Sequence, residues 1–86
     1  PEQKYLQRVE LRLLPEYGAW VKAYVSYDEG RHWQYAGELK GEQRLRAGLL
    51  AVRPVRCPQL RLRLEGHGGC RIYSVSAVYE KGSDLP

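Results

Sequence analysis

Apolar and polar residues alternate along most of this chain with a period of two, and almost nowhere with the 3.6-residue period of a helix. Val9, Leu11 and Leu13 alternate with Arg8, Glu10 and Arg12 as far as Leu14-Pro15. Ala19, Val21, Ala23, Val25 and Tyr27 alternate with Trp20, Lys22, Tyr24 and Ser26. Leu60, Leu62 and Leu64 alternate with Arg61, Arg63 and Glu65, the plainest half-buried strand in the sequence. A last run, Arg71 to Glu80, sets Tyr73, Val75, Ala77 and Tyr79 on one face and Ile72, Ser74, Ser76 and Val78 on the other. Turn residues separate the runs: Pro15 to Gly18, Asp28-Glu29-Gly30, Gly41, Cys57-Pro58 and Gly66 to Gly69. Short strands at such intervals predict an all-β sandwich or barrel.

Two segments need arbitration. Glu38 to Val52 holds good helix formers, but Gly41 and Gly48 interrupt it, so a strand is expected over Gln43 to Leu50 with Leu45 and Ala47 inward. Pro54 and Pro58 confine Arg53 to Cys57 to an edge or a connection, because proline has no N–H to give a ladder. The expectation is one small antiparallel sandwich over residues 1–80 with about seven or eight strands, and a tail or linker stub over 81–86. Its core would be drawn from Val9, Leu11, Leu13, Val21, Val25, Leu60, Leu62, Leu64, Ile72, Val75 and Val78.

The stretch SYDEGRHW, Ser26 to Trp33, is built as a hairpin corner. Asp28 can accept backbone N–H groups of its own turn, Gly30 can take a positive φ, Ser26 can bond across, and Trp33 can cover the corner. The loop length then decides where the rings go. A three-residue loop opposes Val25 to Trp33 and Ala23 to Tyr35, placing both rings inward as core. A four-residue loop opposes Ser26 to Trp33 and Tyr24 to Tyr35, gathering Trp20, Tyr24, Trp33 and Tyr35 on the other face as a platform for a sugar ring. The inward arrangement is favoured, since a small domain with no Phe needs those rings inside.

Composition narrows the chemistry. At 86 residues there is room for a single small core. The chain begins at Pro1, as a domain cut from a longer protein would. No apolar run reaches membrane length and no signal-peptide pattern is present, so no membrane partner is expected. The two cysteines lack metal-ligand spacing with the two histidines, so no metal or other cofactor is expected. With Gly66 to Gly69 joining two antiparallel strands, Cys57 falls opposite Val78, roughly 27 Å from Cys70 at about 3.4 Å per residue. Free, mostly buried thiols are the expectation.

The carboxylates are scattered, so no catalytic pair is carried by spacing and an enzyme is not expected. His32 and His67 lie in glycine turns and read as surface residues. The GHGG turn precedes no helix and so lacks the amide array of a phosphate loop. The formal charge of +4 permits acidic partners. Arg12, Arg61 and Arg63 point outward, but Glu10, Glu38, Glu42 and Glu65 interleave with the arginines, which argues against a nucleic-acid face.

Ser26, Asp28, Gly30 and Trp33 resemble the Asp-box hairpin of sialidases and other β proteins, with His32 where that motif commonly has Thr. One copy in a chain this short implies a hairpin and not a propeller enzyme. The second half, RLRLEGHGGCRIYSV ending in YEKGSD, resembles a β domain of large virion structural proteins of tailed phages and prophages of Gram-positive bacteria. The resemblance extends weakly back to Val9 and carries no catalytic residues. The same strand–turn–strand is similar to the last hairpin of jelly-roll or galactose-binding-like carbohydrate-binding sandwiches. These likenesses imply a non-enzymatic structural and interaction domain of a phage particle, tail-associated and made in the bacterial cytoplasm. Its partners would be other virion proteins or further copies of itself. The alternative they imply is a carbohydrate-binding module that holds host cell-wall glycan on Trp20, Tyr24, Trp33 and Tyr35.

Overall fold

A computed structural model describes residues 4–57 and 59–81. Those residues form six strands and no helix: β1 (Lys4–Pro15), β2 (Trp20–Ser26), β3 (Gln34–Lys40), β4 (Gly48–Val52), β5 (Arg61–His67) and β6 (Cys70–Lys81). They make two antiparallel three-stranded sheets, one in the order β4-β1-β6 and the other β3-β2-β5. The expected all-β antiparallel sandwich is present, with six strands in place of seven or eight. The expected strand at Gln43 to Leu50 is shifted along the chain and shortened. Only Gly48 to Val52 pairs, Leu45 and Ala47 are exposed, and Leu50 and Val52 are the inward residues. Arg53 to Cys57 is a connection, held by the Tyr27 hydroxyl, which accepts the Val55 N–H at 2.9 Å. Of the expected tail only Lys81 is described, where it closes β6; residues 82–86 and Pro58 lie outside the described residues.

Period-two alternation in β1 and β2 produces the core directly. Val9, Leu11 and Leu13 from β1 meet Val21, Ala23 and Val25 from β2, and Leu50 and Val52 complete the cluster. The rest of the expected core is corrected. Leu60 and Leu62 only pack against the cluster, Leu64 is more than a third exposed, and Ile72 and Val75 are each 60% exposed. Val78 opposes Arg8 and therefore stands on the outward row of its sheet.

The reason lies at the Gly66 to Gly69 turn, which joins no hairpin. β5 pairs with β2 and β6 with β1, so this turn is a corner carrying the chain from one sheet to the other. Cys57 consequently has no place opposite Val78. Both thiols are free; Cys57 is half-buried and Cys70 is exposed, where burial of both was expected. A bulge in β6 makes a second correction. Arg12 pairs with Ser74 and Leu13 with Ile72, so Tyr73 is an extra residue and Ile72 joins the inward row of Val75, Ala77 and Tyr79.

The two long sides of the sandwich differ. Along β3 and β4 the sheets interlock: Leu39 lies over Gly48, and Leu50 lies over Gly37. Along β5 and β6 no such closure exists among the described residues, and the inward side chains of both strands reach solvent.

Candidate functional site

The corner from Ser26 to Trp33 is made as its residue types require. The Ser26 hydroxyl, 1% exposed, donates to Asp28 Oδ1 at 2.7 Å and accepts the Gly30 N–H at 2.8 Å. Asp28 Oδ1 also accepts the His32 N–H at 2.9 Å, and Oδ2 meets the His32 ring at Nδ1. The His32 side-chain bond, then its N–H, then the Ser26 hydroxyl hold the Asp28 carboxyl far below the usual carboxylate range. Glu29 and Gly30 take positive φ values of 62° and 92°, and the Trp33 ring passes over Gly30. The Ser26 and Asp28 side chains both make their hydrogen bonds inside the turn.

That corner selects the four-residue loop. Tyr24 opposes Tyr35 and Val25 opposes Gln34, which overturns the favoured inward placement of Trp33 and Tyr35. Ala36 is then the extra residue of a bulge that restores Ala23 opposite Gly37, so the core side of β2 is undisturbed. Trp20, Tyr24, Trp33 and Tyr35 come to the outer side of the β3-β2-β5 sheet; the first three are half-buried and Tyr35 is 57% exposed.

These rings are not a bare platform. Tyr24 and Tyr35 meet edge to face at 6.0 Å and 72°. The Arg63 guanidinium sits 5.1 Å from the Tyr24 ring centre and 4.6 Å from that of Trp33, and its Nη2 is 3.3 Å from Glu65. Lys22 Nζ stands 4.7 Å from the Trp20 ring centre, and His67 stacks on Trp20 at 6.0 Å. The ladder explains the pattern, since β2 sets Trp20 beside His67, Lys22 beside Glu65 and Tyr24 beside Arg63. Two groups of rings result, each covered by the chain's own cations. Partial desolvation pushes the Tyr35 phenol up, and the charge of Glu38 acts in the same direction. Sequence reading missed Lys22, Arg63 and His67 as part of this face, because only the β2–β5 pairing brings them to it.

The open side is the second candidate, and its residues were expected as core. A cleft of about 390 Å³ runs between the sheets there, lined by Leu6, Val9, Leu60, Leu62, Val75 and Tyr79. Ile72, Val75 and Tyr79 are 57–60% exposed on the inward row of β6, and among the described residues no strand lies beside the outer edges of β5 and β6. Alternation in β6 carries no signal of this, because it marks which side chains face inward and not whether a strand covers them.

Among the described residues no three His, Cys, Asp or Glu side chains gather as a metal site. No helix among them is long and apolar enough to cross a membrane. The outward arginines divide between two faces, Arg12 on one sheet and Arg61 and Arg63 on the other, so they make no single basic surface. Set against family models, curated proteins and solved structures, the chain matches none.

Proposed function

We propose that this domain is a non-enzymatic structural and interaction module of a phage or prophage virion protein, tail-associated, made in the bacterial cytoplasm and acting through surface contacts. One observation carries the reading: a sandwich interlocked along β3 and β4 but, among the described residues, left open along β5 and β6. Contiguous exposed apolar surface beside unpaired strand edges is what a domain uses when it completes itself in an assembly. Weak contacts suffice in a symmetric particle, because repetition multiplies them. The sequence likeness of the RLRLEG to IYSV half to virion proteins supplies the setting. The nested pairing of β1 with β6 and β2 with β5, with β3 facing β4, supports a jelly-roll winding reduced to six strands. Particles purified from the strain encoding the chain, probed with antibody to the domain, test the proposal. Labelling of one end of the particle is expected; recovery of the domain only in the unassembled fraction overturns it.

A second reading has its own observation, the gathering of Trp20, Tyr24, Trp33 and Tyr35 on one outer face. That face suits a carbohydrate-binding module only if a glycan displaces Arg63 and Lys22 from the rings they cover. Saturable binding to Gram-positive cell-wall polymers on a glycan array, lost on Trp20→Ala or Trp33→Ala, would establish it. Absence of binding from a multivalent display would remove it.

A further inference from the structure

The four sheet edges are not alike. β3 is bulged at Ala36, β4 has five residues and soon meets Pro54, and β5 carries Arg61, Arg63 and Glu65, all features that discourage pairing with another strand. β6 from Ser74 to Tyr79 has no charge, no proline and no glycine, and its inward row is exposed. We propose that this edge pairs with β6 of a second copy of the chain, antiparallel, about a twofold axis through Ser76. The proposal rests on the interaction-module reading and names the partner.

The register argues for a second copy. A twofold axis normal to the sheet sets each residue opposite one on the same face, at equal distance from the axis. Tyr73 is held as the extra residue, as it is opposite β1. Counting from Ser76 then gives Val75 opposite Ala77, Ser74 opposite Val78, Ile72 opposite Tyr79 and Arg71 opposite Glu80. The inward pairs are all apolar and extend cover over the open cleft, and the outermost pairs join opposite formal charges at both ends of the ladder. Moving the axis by one residue destroys this match. An axis at Val75 sets Arg71 opposite Val78, and an axis at Ala77 sets inward Ile72 opposite Lys81. Of the three registers centred on Val75, Ser76 and Ala77, only the one at Ser76 is self-complementary in both its apolar and its charged pairs, which is what a second copy of the chain supplies.

The test combines association with position. Sedimentation equilibrium of the purified domain is expected to show a reversible dimer. Arg71→Glu and Glu80→Arg, each alone, put like charges opposite and are expected to weaken it at least about tenfold, and the double swap restores it. Directly opposed residues of an antiparallel pair stand roughly 4.5–5.5 Å apart at Cα, within disulfide reach. Ser76→Cys, in a Cys57→Ser, Cys70→Ser background, is therefore expected to cross-link two chains under mild oxidation, while Ser74→Cys does not. All these positions except Cys57, which is half-buried, are at the strand edge, and near-UV circular dichroism checks that each variant keeps its packing. A monomer at every concentration overturns the proposal, as does a dimer that ignores the charge swaps or fails to cross-link at position 76. A monomer still found in particles defeats only the self-pairing. A dimer absent from particles defeats only the virion reading.

Discussion

The Leu39 side chain lies so close over Gly48 that a Cβ on the glycine would meet its Cδ1 at 2.8 Å. This contact and its counterpart, Leu50 over Gly37, bring β3 and β4 near enough to shut one side of the sandwich. Gly48→Ala should therefore cost about 1–3 kcal/mol, as Leu39 is driven off its seat. Gly41→Ala should cost more, because there the obstacle is backbone: the Glu16 carbonyl oxygen would lie 1.8 Å from the new Cβ. Urea denaturation of the two variants beside wild type checks the order.

Ser26 has a hydroxyl 1% exposed that both donates and accepts inside the corner. Ser26→Ala leaves the Gly30 N–H without its acceptor and should lower stability by about 1–3 kcal/mol. Accelerated amide exchange at Gly30 and His32, ahead of global unfolding, would locate the loss in the turn.

Asp28 gives the corner a pH signature. Its carboxyl is held below the ordinary value of 3.8 by His32 and Ser26. A depressed folded-state pKa means that the stabilisation is complete above that ordinary value and disappears as pH falls below it. Wild type should thus lose thermal stability more steeply than Asp28→Asn as pH falls from 5 to about 2. Parallel slopes of melting temperature against pH for the two proteins would refute the assignment.

The open side predicts an inequality among apolar residues that look equivalent in sequence. Leu11, fully buried, should cost about 2–5 kcal/mol as Leu11→Ala. Val75, its ladder partner but 60% exposed, should cost under about 1 kcal/mol as Val75→Ala in dilute solution. Chemical denaturation at low protein concentration measures both.

That inequality marks where sequence reading stops. Alternation in β1 and β2 identified Val9, Leu11, Leu13, Val21 and Val25 as inward, because a strand covered on one face must alternate wherever it pairs. Alternation also identified Val75 as facing inward, but whether anything lies beneath it depends on the number of strands, a property of the whole sheet. The rings depended on a single residue of loop length, and the Ser26–Asp28 corner decided it. The motif was legible, but its effect on register was not, because the three- and four-residue loops satisfy the same local pattern. Arg63 and Lys22 became part of the aromatic face through pairing between strands distant in the chain.

The pairing of the first strand with the last has a mechanical consequence. Lys4 opposes Lys81, so the two ends of the described fold emerge side by side from one end of the β1–β6 ladder. Tension applied between them would load that ladder at its terminal rung and part the hydrogen bonds one after another, like a zip, instead of shearing them together. The domain should yield to modest pulling along its own chain while resisting compression across its sheets. Transmitted force would therefore open β6 from the Lys81 end, and Tyr79, on the inward row, would be among the first residues released.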